Sequence, residues 1–251
     1  MTSETRYSEY NAFAQIYNKE IGNSHSDYAL RALDKLLFPY LTKGADILDL
    51  CCGTGQLVKQ LMIKGYQVTG LDGSEDMLRY ARKNLPDGKF ILDDARFFKL
   101  PSTFDAIIST SASLNHVTNI EELQCIFQNV HTALVTNSIF LFDLNLEERF
   151  DTDTEWKGSL SGNVTEEYAW AWRKKYDPQD KIGKIDITVF EQLNATWQRS
   201  DMTWLVKSYS KTEIQSALKN VGFTEISVYD AERDFAIHGK AGNAYFVCRK
   251  G

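Results

Sequence analysis

From Ala45 onward, short apolar runs alternate with stretches whose apolar positions recur every three or four residues. That rhythm predicts strands joined by crossover helices around a parallel sheet. Asp46 to Cys52 (DILDLCC) reads as a buried strand, Leu57 to Lys64 as the helix after a glycine turn, Val68 to Asp72 as a second strand, and Glu75 to Asn84 as a helix stopped by Pro86. Lys89 to Asp93, Phe104 to Ser109 and Ser138 to Asp143 supply three more strands, the last preceded by an amphipathic helix from Glu121 to Leu134.

After Asn145 the period changes to two. Tyr168, Trp170 and Trp172, then Ile185, Ile187 and Val189, then Met202, Trp204 and Val206 each fall on one face, which predicts three antiparallel strands between about Val164 and Ser208. The helical pattern returns at Ser210, with Glu213 three residues on as a capping box, runs to Val221 and stops at Gly222. Strands Phe223 to Tyr229 and Ala244 to Arg249 end the chain, and Tyr10 to Tyr40 reads as helices upstream of the core. The expected organisation is a helical lid over 1–44, an α/β domain over 45–149 and 209–251, and an antiparallel β insertion over 150–208 that caps a substrate. The α/β domain is expected to hold a doubly wound, mostly parallel seven-stranded sheet.

Composition narrows this picture in three ways. A chain of 251 residues, 43% hydrophobic, can bury one substantial core without a second full domain. The net charge of −6, with no block of like charge, argues against a nucleic-acid partner, which wants a basic face. The polar start, Met1 to Tyr10, lacks an apolar signal core, and no apolar run reaches the ~18 residues of a membrane span. A soluble, cytoplasmic protein is expected. Cys51, Cys52, Cys125 and Cys248 show no CxxC spacing, so neither a disulfide framework nor a metal site is predicted.

The chemistry is concentrated at Asp49-Leu50-Cys51-Cys52-Gly53-Thr54-Gly55, where the first strand opens into a helix. Glycines there let backbone approach a ligand, and free amides at a helix start favour polar or anionic groups. The second strand ends in Asp72, placed to accept hydrogen bonds from both hydroxyls of a ribose. A dinucleotide site would want a third glycine at position 58, where this chain has Val58.

This spacing resembles motif I of the class I S-adenosylmethionine-dependent methyltransferases, with Cys51 where that family most often has glycine. The likeness extends over Ala45 to Asn145 and Tyr209 to Lys250, through Asp93-Asp94-Ala95, Phe104-Asp105-Ala106-Ile107-Ile108 and Lys219-Asn220-Val221-Gly222-Phe223. The resemblance implies S-adenosylmethionine as cofactor, S-adenosylhomocysteine as product, and a Rossmann-like fold. It places Asp49, Cys51, Gly53 and Gly55 by the methionine portion and ribose, and Asp72 on the ribose hydroxyls. It further places Gly73 and Met77 on the adenine, Asp94 and Ala95 at the adenine edge, and Ser109 by the methionine carboxylate and amine.

Displacement at a sulfonium methyl needs positioning and exclusion of water, and a base only when the acceptor holds a proton. His116 and Asp143 are the candidate catalytic groups. Asn115, His116 and Asn145, with Trp170 and Trp172 from the insertion and Tyr10 and Tyr17 from the lid, are expected to contact the acceptor. The layout resembles methyltransferases acting on small molecules, some on sugar amines. The expected partner is therefore a small-molecule N, O or C nucleophile, with a homodimer as the assembly kept open. Ser109-Thr110-Ser111-Ala112 lacks the proline-containing tetrad of enzymes that methylate nucleic-acid amines. The alternatives are a nucleic-acid or protein methyltransferase, a non-catalytic binder of the cofactor, and a nicotinamide oxidoreductase.

Overall fold

The computed structural model describes residues 6–193 and 196–251. Residues 1–5 of the expected lid and Asn194 and Ala195 of the expected insertion lie outside the described residues. The chain begins with a 3-10 segment (Arg6–Phe13), α1 (Ala14–Ile16), a π-helical turn (Tyr17–Ile21) and α2 (Gly22–Leu36). The core then alternates as β1 (Asp46–Leu50), α3 (Gln56–Ile63), β2 (Gln67–Asp72), α4 (Glu75–Asn84), β3 (Lys89–Leu92), β4 (Phe104–Ser109), α5 (Ile120–Ala133) and β5 (Leu134–Asn145). A one-turn α6 (Glu147–Thr152) leads to β6 (Lys157–Val164), β7 (Tyr168–Asp177), β8 (Ile182–Leu193) and β9 (Thr196–Lys207). The chain closes with α7 (Lys211–Val221), β10 (Phe223–Asp230), α8 (Ala231–Phe235) and β11 (Asn243–Lys250).

The large sheet has seven strands in the order β10-β11-β5-β4-β1-β2-β3. β11 runs antiparallel to both of its neighbours, and the other pairings are parallel. The order reverses at β1, which separates β2 and β3 from β4 and β5, so a crevice opens beyond the carboxyl ends of β1 and β4. Ligands bind at such a switch point in open α/β sheets. Helices end where the sequence says they should. Ser74 caps α4 by accepting the Met77 amide, and Ser210 with Glu213 forms the expected capping box on α7. Gly222 closes α7 at φ 108°, a conformation that favours glycine.

One face of the sheet is covered by α5 and α7, whose Ile126, Phe127, Ile214 and Leu218 pack on Phe140, Phe142 and Phe246. On the other face α2, α3 and α8 cover Ile47, Ile108 and Leu141. A third cluster joins Phe13 and Ile16 of the amino-terminal segment to Ile185, Ile187, Val189, Trp204 and Val206 of the small sheet. The helices upstream of the core are thereby fastened to the insertion over the crevice.

Two expectations need correction. The insertion has four strands, in the order β6-β7-β8-β9, where three were expected. β6 (KGSLSGNV) is a mostly exposed edge strand, so no buried face imposes alternation on it, and it has no hydrophobic period to read. β5 starts at Leu134, directly after α5, with its first turn of pairing to Phe104 set off by a register shift. The short helices α6 and α8 also escaped the pattern, since five or six residues span too few turns to show a period. No helix among the described residues is long and apolar enough to cross a membrane.

Candidate active site

A cavity of about 380 Å³ lies in the switch-point crevice, walled by the ends of β1, β2, β4 and β5, by the amino-terminal segment and by the inner face of the small sheet. The expected residues Cys51, Gly53, Asp72, Gly73, Met77 and Ala95 lie on its wall. So do Tyr10, Tyr17, Asn115, His116, Asp143, Asn145 and Trp172.

The glycine loop is held by the acid across from it. The Gly53 amide donates to Asp72 Oδ2 at 2.8 Å and the Ser74 amide donates to Asp72 Oδ1 at 2.9 Å. Asp72 thus orders the loop and, on the cavity wall, keeps acceptor capacity for a ribose hydroxyl. Burial raises its pKa, partly offset by these amides. Gly53 has φ 55°, and the Tyr17 ring stands 3.3 Å from where a Cβ would be. A side chain there would be strained by the backbone and crowded by the ring. Cys51 also has a left-handed φ, 63°. That conformation costs a non-glycine residue roughly 1 kcal/mol or more, which explains why the related motif favours glycine at this position.

Asp49 stands at the end of β1, 2% exposed, and its Oδ2 has no hydrogen-bond partner among the described residues. Burial, and secondarily the charge of Asp72, lifts its pKa to about 8. A buried carboxyl without a counter-charge costs stability, and its presence suits a cationic ligand. The same two acids, after burial, push the Tyr17 hydroxyl upward, so Tyr17 stays protonated. With Asp72 for ribose hydroxyls and Met77 and Ala95 for an apolar ring, these residues fit an adenosyl sulfonium.

On the acceptor side, the Tyr10 hydroxyl and His116 Nε2 are 2.6 Å apart. Burial pulls the His116 pKa down to about 4, opposed by a hydrogen bond at the Leu205 backbone that favours the protonated ring and is therefore to the carbonyl. A neutral ring that donates to Leu205 accepts at Nε2, which makes Tyr10 the donor. The Tyr10 ring stacks on Trp204 at 4.0 Å and 13°. Trp204 Nε1 is buried with no partner among the described residues. Asp143 Oδ2 accepts from the Ala112 amide (3.0 Å) and Asn243 Nδ2 (2.7 Å). It thereby anchors the turn after β4, in which Ser111 and Ala112 both have positive φ. Its Oδ1 has no partner among the described residues, and burial raises its pKa.

Several expected residues have other duties. Asn115 lines the cavity, but its amide nitrogen donates to the carbonyls of Asn145 and Lys207, and its oxygen accepts the Asn145 amide. It ties β5 to β9. Gly55, Asp94, Ser109, Trp170 and Asp49 are not on the wall. Gly55 sits 3.1 Å, measured from a hypothetical Cβ, from Ala81 Cβ, so it brings α3 close to α4. Asp94 is paired with Arg96 at 2.5 Å and leaves Ala95 to face the cavity. Ser109 is buried, and its Oγ has no hydrogen-bond partner among the described residues. Trp170 donates to Glu20 at 2.9 Å, joining the amino-terminal segment to the insertion. Wall residues that the sequence reading missed include Lys240, Asn243 and Tyr245. They come from the end of the chain, where only the flanking Gly239 and Gly242 marked a structured turn.

An acid-tipped β2 beside a glycine turn, at the switch point of this sheet order, defines a Rossmann-like protein built for an adenosyl cofactor. A methyltransferase-domain family model matches residues 47–137. An uncharacterized methyltransferase of Oceanobacillus iheyensis is 30% identical over 207 residues, covering 78% of this chain and 93% of the relative. A Streptomyces venezuelae dTDP-3-amino-3,4,6-trideoxy-α-D-glucopyranose N,N-dimethyltransferase is 34% identical over 112 residues, covering 44% of this chain and 47% of the relative. Among solved structures, an S-adenosylmethionine-dependent methyltransferase from Clostridium acetobutylicum superposes with TM-score 0.75 at 22% identity, covering 96% of this chain and 99% of that one. The chain belongs to the S-adenosylmethionine-dependent methyltransferases.

Proposed function

We propose that this methyltransferase acts on a small-molecule nucleophile, an amine or hydroxyl, enclosed between the sheet and the insertion. The carrying observation is the roofed cavity itself. Its acceptor end is closed by Tyr10, Phe13, Trp172 and Trp204, and the whole cavity, cofactor side included, measures only about 380 Å³, which suits a compact substrate. Action of the Streptomyces venezuelae relative on a sugar amine supports the same reading. The chain's acidic balance speaks against a nucleic acid.

The cofactor, when bound, supplies an electrophilic methyl on a sulfonium. Cys51, Gly53 and Gly73 are the residues proposed to hold its polar end, with the Asp49 carboxyl behind them supplying negative charge, Asp72 on the ribose, and Met77 and Ala95 around the adenine, Ala95 being held in place by the Asp94–Arg96 pair. Gly55 and Ser109 support this wall from behind. Tyr10 is proposed to orient the acceptor. Its hydroxyl is hydrogen-bonded to His116, and a phenolic oxygen can accept an N–H or O–H from the nucleophile as well as donate. His116, held neutral, fixes that orientation and is the group to which the Tyr10 proton points, a weak base because burial disfavours its charged form. Trp204 and Trp172 exclude water, and Asp143 with Asn145 holds the turn bordering the acceptor.

Formation of S-adenosylhomocysteine across a panel of small amines, amino sugars, hydroxyls and carboxylates tests the reading. Turnover with at least one panel member is expected, and turnover with RNA or a protein alone would overturn it. With the acceptor so found, Tyr10→Phe is expected to lower kcat by about 10²-fold, the range of one positioned proton-transfer group, with cofactor affinity unchanged. A Tyr10→Phe variant with wild-type kcat removes Tyr10 from the proton path.

A further inference from the structure

Three cations gather at the far end of the cavity, and two of them are spoken for. Arg149 pairs with Asp153 at 2.9 Å. Lys174 pairs with Glu155 at 2.5 Å and lies over the Trp156 and Trp172 rings. Lys240 is on the cavity wall, and no carboxylate among the described residues lies within 4.0 Å of its Nζ. Its ammonium has the Tyr28 ring at 6.0 Å. Burial, then the charges of Arg149 and Lys174, presses its pKa below that of an ordinary lysine. The same two lysines, after burial, bring His25 down to about 4.

The loop that presents Lys240 is fixed at both ends. Arg149 donates to the carbonyls of Gly239 (3.0 Å) and Ala241 (3.2 Å). Glu232 accepts from the amides of Gly239 and Ala241, and Asp230 accepts from that of Gly242. A Cβ on Gly242 would fall 2.7 Å from the Arg149 backbone nitrogen, so the loop and α6 are in direct contact. The peptide groups on either side of Lys240 are thus satisfied, while its half-buried ammonium has no carboxylate partner within 4.0 Å among the described residues. A partly desolvated cation on a cavity wall is well placed to be completed by an anionic ligand. Asp143 does not serve as that partner. Its Oδ2 is taken by Ala112 and Asn243, and its charge ranks below three unfavourable influences on Lys240.

We propose that Lys240 anchors an oxyanion subsite, so that the methyl acceptor carries a phosphate or carboxylate held there while its nucleophile stands by Tyr10 and His116. This rests on the small-molecule reading of the cavity and specifies the substrate class. The loop sets the anion's place, and Tyr28 and Tyr245 line the cavity along with Lys240. A neutral amine of the same size would leave Lys240 uncompensated, so the subsite selects as well as binds.

Calorimetric titration of the protein loaded with S-adenosylhomocysteine, using pyrophosphate and succinate as probes, tests the proposal. Wild type is expected to bind one of them with Kd of about 1 mM or tighter, and the preferred probe tells phosphate from carboxylate. Lys240→Met should weaken that binding by about tenfold or more, as for a lost charged hydrogen bond, and Lys240→Arg should restore most of it. Affinity for S-adenosylhomocysteine should be the same in all three. Equal anion binding by Lys240→Met, or none by wild type, would overturn the proposal. Loss of S-adenosylhomocysteine affinity in Lys240→Met would also overturn it, by assigning Lys240 to the cofactor's own carboxylate. An anion site that depends on Lys240 in a protein that turns over only RNA or protein would leave the subsite standing and reject the small-molecule reading.

Discussion

Asp49→Asn is expected to stabilise the cofactor-free protein at alkaline pH and to weaken binding of S-adenosylmethionine. The Asp49 carboxyl is buried with an unpartnered oxygen, and its pKa stands near 8 against an ordinary 3.8. A folded-state pKa raised in this way makes a stabilising contribution that is fully present below about pH 4 and lost as pH rises through about 8. Above that the empty fold carries a buried charge without compensation. Asparagine removes the charge and keeps the shape. The melting temperature of the variant should therefore exceed that of wild type by about 3 °C or more at about pH 9, since 1 kcal/mol moves a domain of this size by roughly 2–4 °C. The gap should narrow as pH falls and close below the ordinary pKa of 3.8, toward about pH 3, where Asp49 is protonated in both folded and unfolded chains. Binding should move the other way. A cationic cofactor draws on the Asp49 charge, and a charge-assisted hydrogen bond is worth about 1.5–3 kcal/mol, roughly ten- to 150-fold in affinity. Equal melting curves across the pH range would show that Asp49 is charged and compensated in the empty protein. Unchanged affinity would place it outside the cofactor site.

Asp72→Ala should be more damaging to cofactor binding, because Asp72 serves two functions. Its oxygens order the loop by accepting the Gly53 and Ser74 amides, and the remaining acceptor sites face the position of a ribose. Alanine removes the ribose contacts and frees the loop, so affinity for S-adenosylhomocysteine should fall by about 1.5 to 3 kcal/mol per lost charged interaction. Asp72→Asn should retain part of the loop order and fall between the two. A variant Asp72→Ala that binds as tightly as wild type would remove Asp72 from the site.

The sequence was most informative where an element must satisfy local rules and the sheet's geometry together. Asp49, Gly53 and Asp72 were legible because a switch-point cradle needs a glycine turn and an acid on the neighbouring strand at fixed spacing. Ser210 with Glu213 announced a helix start through a reciprocal pair of hydrogen bonds that the structure contains. The inner faces of β7, β8 and β9 were legible from alternation, because Ile187, Val189 and Val206 are buried. β6 was not, because an exposed edge strand has no buried face to write a period into the sequence. The acceptor side was harder to read for a related reason. Tyr10 and His116 are 106 residues apart, and only folding brings them to 2.6 Å. Nothing near either residue encodes the other. Lys240 was invisible because its meaning lies in having no carboxylate partner among the described residues, which depends on where Asp153 and Glu155 spend their charges. Asn115 lines the cavity and Trp170 does not, and the polar atoms of both serve other partners, the backbone carbonyls of Asn145 and Lys207 for the one and Glu20 for the other.

The central claim is that the crevice at the switch point holds an adenosyl sulfonium and uses it to methylate. Calorimetric titration of the purified protein with S-adenosylmethionine, S-adenosylhomocysteine and NADH tests it most directly. Binding of both adenosyl compounds with no response to NADH is the predicted result. Binding of NADH with no response to either adenosyl compound would contradict it.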